Sequence, residues 1–268
     1  MPDTNGASRR AAMYGDEDLS SFSLFSGNYI NFGYWQDFTP GLISMDERTE
    51  SQADLYRIVL RRLEISPTDV VLEIGCGIAA GTALALREFH PGAVYGLDLS
   101  QDQLDRATRA NTELLAQQRD RFMLQQGSAL ELPYAHEHID KCYSVEAAQH
   151  FEGLATFASE AYRVLRSGGR LAIATFFMTH TSAIDELRQS IETIDSGIDV
   201  VVAIDSFRDD LFKASFTDVR VDSIGEHVWW GFDAWMEQTE FKDSWNRNWL
   251  KAYHRGLIDY YLVTGDKK

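Results

Sequence analysis

The chain has few cysteines, no long apolar run and a deficit of positive charge. Neither Cys76 nor Cys142 lies in a metal-ligand spacing, so we expect two reduced thiols and no metal. No stretch approaches the ~20 apolar residues of a membrane helix, and the first residues contain no apolar signal core. These absences predict a globular, cytoplasmic protein that does not enter a membrane.

The charge balance narrows the classes of partner. Against 41 acidic residues stand 25 basic ones, which gives a formal net charge of −16. Such a surface repels phosphate backbones, and no long basic stripe interrupts it. We therefore expect no nucleic-acid partner. A small-molecule substrate, bound by a monomer or homodimer, is the expectation that remains.

From about residue 49 the sequence alternates helical periods with short β-branched runs. Strands are predicted at 69–74, 93–98, 121–127, 140–145 and 170–177, with two later strands at 218–228 and 258–265. Alternation at this spacing predicts a parallel sheet covered by helices on both faces. The first residues are rich in Ser, Gly, Asp and Arg, which indicates a loose tail over 1–20.

A glycine-rich turn, "VVLEIGCGIAAGTALAL" at 70–86, follows the first strand. It lacks the lysine of a triphosphate-binding loop, and it matches a dinucleotide fingerprint imperfectly because Ala80 stands at the third glycine position. Glu73 would repel a pyrophosphate but attract a sulfonium and an ammonium. Asp98, at the end of the second strand, can accept both hydroxyls of a ribose. These carboxylates favour S-adenosylmethionine, although the glycines alone also fit an ordinary tight turn.

The motifs "VLEIGCGIAAGT" and "YGLDLSQDQLDRA" resemble those of class I S-adenosylmethionine-dependent methyltransferases. Within them the chain is similar to the small-molecule group that includes ubiquinone, tocopherol, sterol and natural-product enzymes. "GSALELPYAHEHIDKCYSVEAAQHF" and "EAYRVLRSGGRLAIATFF" continue the likeness, which spans roughly residues 28–177. The resemblance implies a doubly wound, mostly parallel seven-stranded α/β sheet, Rossmann-like, with an antiparallel last strand. It also implies one domain over 21–268, with an N-terminal lid at 21–48 and a helical substrate cap at 178–213 and 229–256.

The resemblance also implies which residues hold the cofactor. The expected set is Tyr29, Tyr34, Glu73, Gly75, Cys76, Gly77, Asp98, Leu99, Gln103, Ser128, Ala129 and Glu146. Ser128 stands where the family often has aspartate, so a weaker contact to adenine is expected there.

Methyl transfer needs alignment of the reactants, and a base where the acceptor must lose a proton. His150, after the fourth strand in "EAAQHF", is the expected base, with Glu146 beside it; a structural, helix-terminal histidine is the alternative. The expected acceptor-binding residues are Tyr34, His150, Phe177, Trp229, Trp230 and Trp249. An aromatic lining suits an apolar or aromatic natural product, O-methylated in the first place and C-methylated in the second. Aromatic residues at helical spacing are also typical of a core.

Four other functions remain open at this point. A nicotinamide-dependent oxidoreductase would share the fold but is disfavoured by Glu73 and Ala80. A binding protein, or a fold member that keeps the cofactor while catalysing a rearrangement, is not separated by sequence. A nucleic-acid methyltransferase is disfavoured because "SVEAAQ" replaces the Pro-Pro-aromatic element after the fourth strand.

Overall fold

The computed structural model describes residues 4–15, 22–36 and 39–268. Parts of the predicted tail (1–3 and 16–20) and of the predicted lid (21 and 37–38) lie outside these described residues. Seven strands form one sheet: β1 Val70–Ile74, β2 Ala93–Asp98, β3 Phe122–Gln126, β4 Ile139–Val145, β5 Leu165–Met178, β6 Thr217–Ser223 and β7 Ile258–Asp266. All seven predicted strands are confirmed within a few residues, except that β5 begins five residues earlier than expected and β6 ends five residues earlier.

Helices surround the sheet. They are α1 Thr4–Gly15, α2 Met45–Arg62, α3 Ala80–Leu84, α4 Gln101–Ala110, α5 Thr112–Gln117, α6 Leu154–Val164, α7 Ile184–Ser190, α8 Glu192–Asp195, α9 Ile204–Lys213, α10 Trp229–Met236 and α11 Asn248–His254. A π-helical turn, Ala85–Phe89, continues α3. Helix α6 ends at Val164, and β5 follows it directly, with Gly168 (φ +82°) within the strand.

The strand order is β3-β2-β1-β4-β5-β7-β6. Every pair from β3 to β5 is parallel, whereas β7 runs antiparallel to both β5 and β6. This confirms the expected doubly wound sheet with an antiparallel last strand. From β1 the strands are added outward in both directions, β2 and β3 on one side and β4 and β5 on the other, so the switch point lies between β1 and β4. In such sheets ligands bind at the carboxyl ends of the strands at the switch point.

Two apolar layers hold the sheet between the helices. Along β1, Val71 packs into one cluster and Leu72 into the other, because successive side chains point to opposite faces. Leu55 of α2 is fully buried in the first cluster, and Phe157 of α6 is fully buried in the second. A sheet buried on both faces fixes the strand ends, and these strand ends carry the candidate site.

The prediction of a loose tail is wrong for residues 4–15, which form α1. Tertiary contacts supply the order that local composition does not. The guanidinium of Arg10 donates to the carbonyls of Gly197 (2.7 Å) and Ile198 (3.1 Å). Gly6 lies against Gly197 so closely that an added Cβ would come within 2.5 Å of its carbonyl oxygen. Long-range contacts of this kind override weak local propensity.

Within the described ranges no helix has both the length and the apolar character that a membrane crossing requires. The same residues contain no group of three His, Cys, Asp or Glu side chains arranged to hold a metal ion. Cys76 and Cys142 are buried free thiols.

Candidate active site

A cavity of about 630 Å³ opens at the carboxyl ends of β1, β2 and β4. This volume lies in the range of roughly 300–1,000 Å³ that small-molecule sites occupy. Its lining includes Tyr14, Asn28, Ile30, Tyr56, residues 74–78, 97–103, 127–130, 145–147 and 150–152. The cavity therefore lies at the topological switch point, where the sequence places the glycine turn.

The glycine turn is shaped by two backbone requirements. Gly75 has φ +79°, and a Cβ there would come within 2.3 Å of the Cβ of Ala147. The N–H groups of Gly75 (2.8 Å) and Cys76 (2.9 Å) both donate to the carbonyl of Leu97. The turn is therefore fixed to β2 and packed against the end of β4, so Gly75 has a conformational role besides any contact with a ligand.

Asp98 closes the floor of the cavity beside the turn. Its carboxylate accepts from the N–H groups of Gly77 (2.8 Å) and Ser100 (2.9 Å). Burial raises the pKa of this carboxyl, and these N–H bonds oppose the shift. A carboxylate oxygen has more than one acceptor position, so Asp98 can still accept from hydroxyl groups of a ligand.

Glu73 is placed differently from the prediction. It does not line the cavity but is fully buried beneath the glycine turn. Its carboxyl accepts from the hydroxyl of Tyr143 (3.1 Å) and from the hydroxyl of Thr82. Burial is the main influence and raises its pKa to about 7, against these hydrogen bonds. Any influence of Glu73 on a ligand in the cavity would therefore pass through space, from a titratable group below the floor.

The expected adenosine side of the cavity is well formed. Gln103 is buried, and its Oε1 has no hydrogen-bond partner among the described residues. Leu99 lines the cavity although its side chain is 72% exposed. Ser128 and Ala129 complete this wall, with the Ser128 hydroxyl accepting from the N–H of Leu130 (3.1 Å). An orphaned buried acceptor and an uncovered leucine fit a ligand with hydroxyls and a flat apolar ring.

Glu146 lies at the end of β4 in a left-handed conformation (φ +46°) and lines the cavity. Its Oε1 accepts from the N–H of Phe32 (2.7 Å) and from the hydroxyl of Tyr260 (3.0 Å). Burial raises the pKa of its carboxyl to about 8. This carboxyl therefore links the N-terminal segment to β7 across the sheet end.

Both nitrogens of the His150 ring are engaged at the wall of the cavity. Nδ1 lies 3.1 Å from the carbonyl oxygen of Ile198, which can only accept, so Nδ1 carries the proton. Nε2 is then the acceptor of the neutral ring, and the hydroxyl of Tyr14 donates to it at 2.7 Å. Burial lowers the pKa of His150, while Asp199 opposes the shift. A neutral imidazole with an acceptor nitrogen at the cavity wall is the form that a general base requires.

Helix α1 covers this part of the cavity. The carbonyl of Tyr14 accepts from Nε2 of Gln103 (3.1 Å) and from the guanidinium of Arg106 (2.9 Å), both on α4. The Tyr14 hydroxyl meanwhile reaches His150. One residue of α1 therefore bridges the helix after β2 and the loop after β4.

Two tyrosines of the predicted lid lie outside the cavity lining. The ring of Tyr29 packs against Tyr56, 5.6 Å between ring centroids, while Asn28 and Ile30 line the cavity. Tyr34 packs against the ring of His227 at 5.1 Å. The segment does lie at the cavity, but the turn around Asn28 (φ +66°) directs other side chains to it.

The predicted aromatic acceptor residues form no part of the cavity lining. Trp229 and Trp249 are buried and stacked on each other, 5.7 Å between centroids. Trp230 is half-exposed and packs on His254. Phe177 stacks on Phe207 of α9, on the other face of the sheet. These four residues therefore belong to the core or the surface. Aromatic residues at helical spacing are typical of a core, and three of the four are buried there.

Sequence reasoning missed Arg10, Tyr14, Tyr56 and Asp199. Tyr14 and Arg10 belong to the segment interpreted as a tail. Asp199 lies in the weakly periodic segment after β5, with no local motif to mark it. Tyr56 lies on the buried face of α2, where its ring covers Gly81 and its position resembles any core tyrosine.

The sheet order and the cavity at the switch point define a Rossmann-like protein with a small-molecule site. A family model described as a methyltransferase domain matches residues 72–173. Erythromycin 3''-O-methyltransferase of Saccharopolyspora erythraea is 30% identical over 257 residues, which cover 90% of this chain and 80% of that protein. The 27-O-demethylrifamycin SV methyltransferase of Amycolatopsis mediterranei is 25% identical, over 75% of this chain and 71% of that protein.

A solved structure shares the fold across the whole chain. Geranyl diphosphate C-methyltransferase from Streptomyces coelicolor A3(2) superposes with a TM-score of 0.80 at 16% identity, covering 100% of both chains. This chain belongs to the class I S-adenosylmethionine-dependent methyltransferases, in the group that acts on small molecules. The predicted family, fold and enzyme class are confirmed, and the oxidoreductase alternative is excluded.

Proposed function

We propose that the protein methylates an oxygen atom of a small, largely apolar natural product, with His150 as the general base. The observation that carries this proposal is the hydrogen bond from the Tyr14 hydroxyl to Nε2 of His150 at 2.7 Å. It marks a point on the cavity wall where a hydroxyl donates to a neutral imidazole. An acceptor alcohol bound at that point would make the same bond.

The residues around the cavity fit S-adenosylmethionine. Asp98 and Gln103 would hold the ribose hydroxyls, Leu99, Ser128 and Ala129 the adenine, and the turn Gly75–Gly77 the methionine part. The unpartnered Oε1 of Gln103 and the exposed Leu99 support this assignment, because a bound nucleoside would satisfy the first and cover the second. When bound, S-adenosylmethionine would supply a methyl group on a positively charged sulfur, with neutral S-adenosylhomocysteine as the leaving group.

The protein's own residues align the reactants and move one proton. His150 takes the proton of the acceptor O–H at Nε2 and becomes an imidazolium, which later returns the proton to solvent. Tyr14 must yield its place at Nε2 when the acceptor hydroxyl binds. Tyr14 and Arg10 of α1 line the cavity, where they would limit the access of water to a bound cofactor. Glu73 and Glu146 supply negative potential below and beside the turn when they ionise.

Comparisons support oxygen as the acceptor atom. One relative is named for the 3''-O position of erythromycin and the other for 27-O-demethylrifamycin SV, so both names concern an oxygen of a natural product. C-methylation through a carbocation would draw on aromatic faces at the reacting carbon. Trp229 and Trp249 are packed away from the cavity, whereas Tyr56 and Phe151 line it. The names of the relatives, and not the aromatic residues, therefore favour the O-methyltransferase. A role in antibiotic biosynthesis, and a cytoplasmic location consistent with two free thiols, belong to the same proposal.

Incubation with methyl-labelled S-adenosylmethionine tests the proposal. The acceptors are a glycosylated macrolactone, a phenolic polyketide and geranyl diphosphate, and mass spectrometry separates O-methyl from C-methyl products. His150→Ala should lower the rate by about 10²–10⁴-fold, with unchanged affinity for S-adenosylhomocysteine. The exposed His136→Ala is the matched control. Tight cofactor binding without methyl transfer to any acceptor would favour the rearrangement or binding-protein alternatives.

A further inference from the structure

Asp199 lies beside His150 in the segment between α8 and α9, outside the residues that match the family model. Its side chain is buried, with only 7% exposed. Its backbone N–H donates to the carbonyl of Thr193 (2.9 Å), which fixes the residue against α8. Its Oδ1 lies 3.3 Å from Nδ1 of His150. In the described part of the chain, this is the single ion pair that Asp199 makes.

A carboxylate buried this deeply is costly unless a donor or a positive charge faces it. Nδ1–H of His150 donates to the Ile198 carbonyl at 3.1 Å, and the Asp199 carboxylate lies 3.3 Å from the same nitrogen, where it faces the ring that becomes positive on protonation. Both acceptors come from the same two-residue stretch. Together they hold the proton on Nδ1 and leave the lone pair of Nε2 at the cavity wall.

We infer that Asp199 is the positioning residue for His150: it fixes the Nδ1–H form of the ring and stabilises the imidazolium that forms when Nε2 takes a proton. This inference rests on the proposed role of His150 as base. It adds a residue from the cap segment to a site otherwise built from strand ends. Asp199 does not touch the acceptor, so its effect passes through the ring it orients.

Several charged groups face the ring and set its basicity. Asp199 from the cap segment and Asp98 from β2 favour the protonated ring, whereas Arg10 from α1 and burial itself disfavour it. Tyr14 faces Nε2 as a neutral donor. Burial has the largest effect on the pKa of His150 and lowers it. Among the groups that raise this pKa, Asp199 has the largest effect. Removal of its charge should therefore lower the pKa of His150 further.

The test compares Asp199→Asn with Asp195→Asn, an exposed residue of α8 in the same segment. Proteins labelled with ¹⁵N-histidine and bound to S-adenosylhomocysteine are titrated by NMR, and His150→Ala assigns the signal. The wild type should show the Nδ1–H form, and Asp199→Asn should titrate at lower pH than wild type and Asp195→Asn. A wild-type Nε2–H form, or equal titrations in all three proteins, would overturn the inference.

Turnover gives the second readout once an acceptor is known. Asp199→Asn should lower kcat at least tenfold, on the order of the smaller effects in general-base catalysis. The acidic limb of its pH profile should move to lower pH, KM for S-adenosylmethionine should stay unchanged, and Asp199→Glu should recover part of the rate. A variant with wild-type kcat and an unmoved limb would contradict the inference. If the wild type methylates no oxygen, the proposed function fails, and the NMR comparison still decides the role of Asp199.

Discussion

The buried carboxyl of Glu73 gives a quantitative prediction about pH and stability. Burial raises its pKa from an ordinary 4.5 to about 7. As pH rises, the unfolded chain loses this proton first, and the folded protein keeps it up to about pH 7. Between these values the folded state binds more protons, so each rise in pH destabilises it. A gap of about 2.5 pKa units at 1.36 kcal/mol each corresponds to about 3 kcal/mol.

Glu73→Gln removes the titration while keeping the shape and an oxygen that accepts from Thr82 or Tyr143. Relative to wild type, its free energy of unfolding should rise by about 2–3 kcal/mol between pH 5 and pH 8. Urea denaturation at the two pH values measures this difference. Glu113→Gln on α5 is the control, because that side chain is exposed. An equal effect of Glu73→Gln at both pH values would refute the assignment of a raised pKa.

Three further measurements test the cofactor site and the core. At pH 7, binding of the cationic cofactor should drive Glu73 toward its ionised form and release up to about half a proton; calorimetry in buffers of different ionisation enthalpy should show no release in Glu73→Gln. Asp98→Ala should weaken S-adenosylhomocysteine binding by about 1–3 kcal/mol, and unchanged affinity would contradict its ribose contact. Trp249→Ala should lower the free energy of unfolding by about 3–5 kcal/mol with unchanged cofactor affinity, since Trp249 stacks on Trp229 in the core.

The sheet and the residues at its strand ends were predictable because their signals are local. Each strand is a short apolar run, and parallel strands bring their carboxyl ends to one edge. The glycine turn and Asp98 stand at two such ends, and both line the cavity. Glu73 is the exception among the motif residues. Alternation along β1 turns it away from the turn that follows, into a network with Thr82 and Tyr143.

The acceptor side was not predictable, because it depends on contacts between distant segments. Tyr14 meets His150 across 136 residues, and Asp199 lies 49 residues beyond it. Neither partner has a motif. For the tryptophans, the sequence pattern could not decide between a cavity and the core. Aromatic residues at helical spacing predict an apolar helix face, but that face can line a cavity or pack against another ring. Trp229 meets Trp249, and only the packing of α10 against α11 decides that.

The two halves of the site therefore come from different parts of the chain. Residues within 72–173 would build the proposed cofactor wall, whereas α1 and the segment after β5 would supply its cover and the partner of the proposed base. The Ile198 carbonyl joins them, since it accepts both from Arg10 of α1 and from Nδ1 of His150, each at 3.1 Å. Substitutions in these outer segments can reshape the acceptor space without altering the glycine turn or Asp98. The glycine turn and Asp98 are held by backbone hydrogen bonds between β1, β2 and the residues that follow them, so their geometry does not depend on these outer segments.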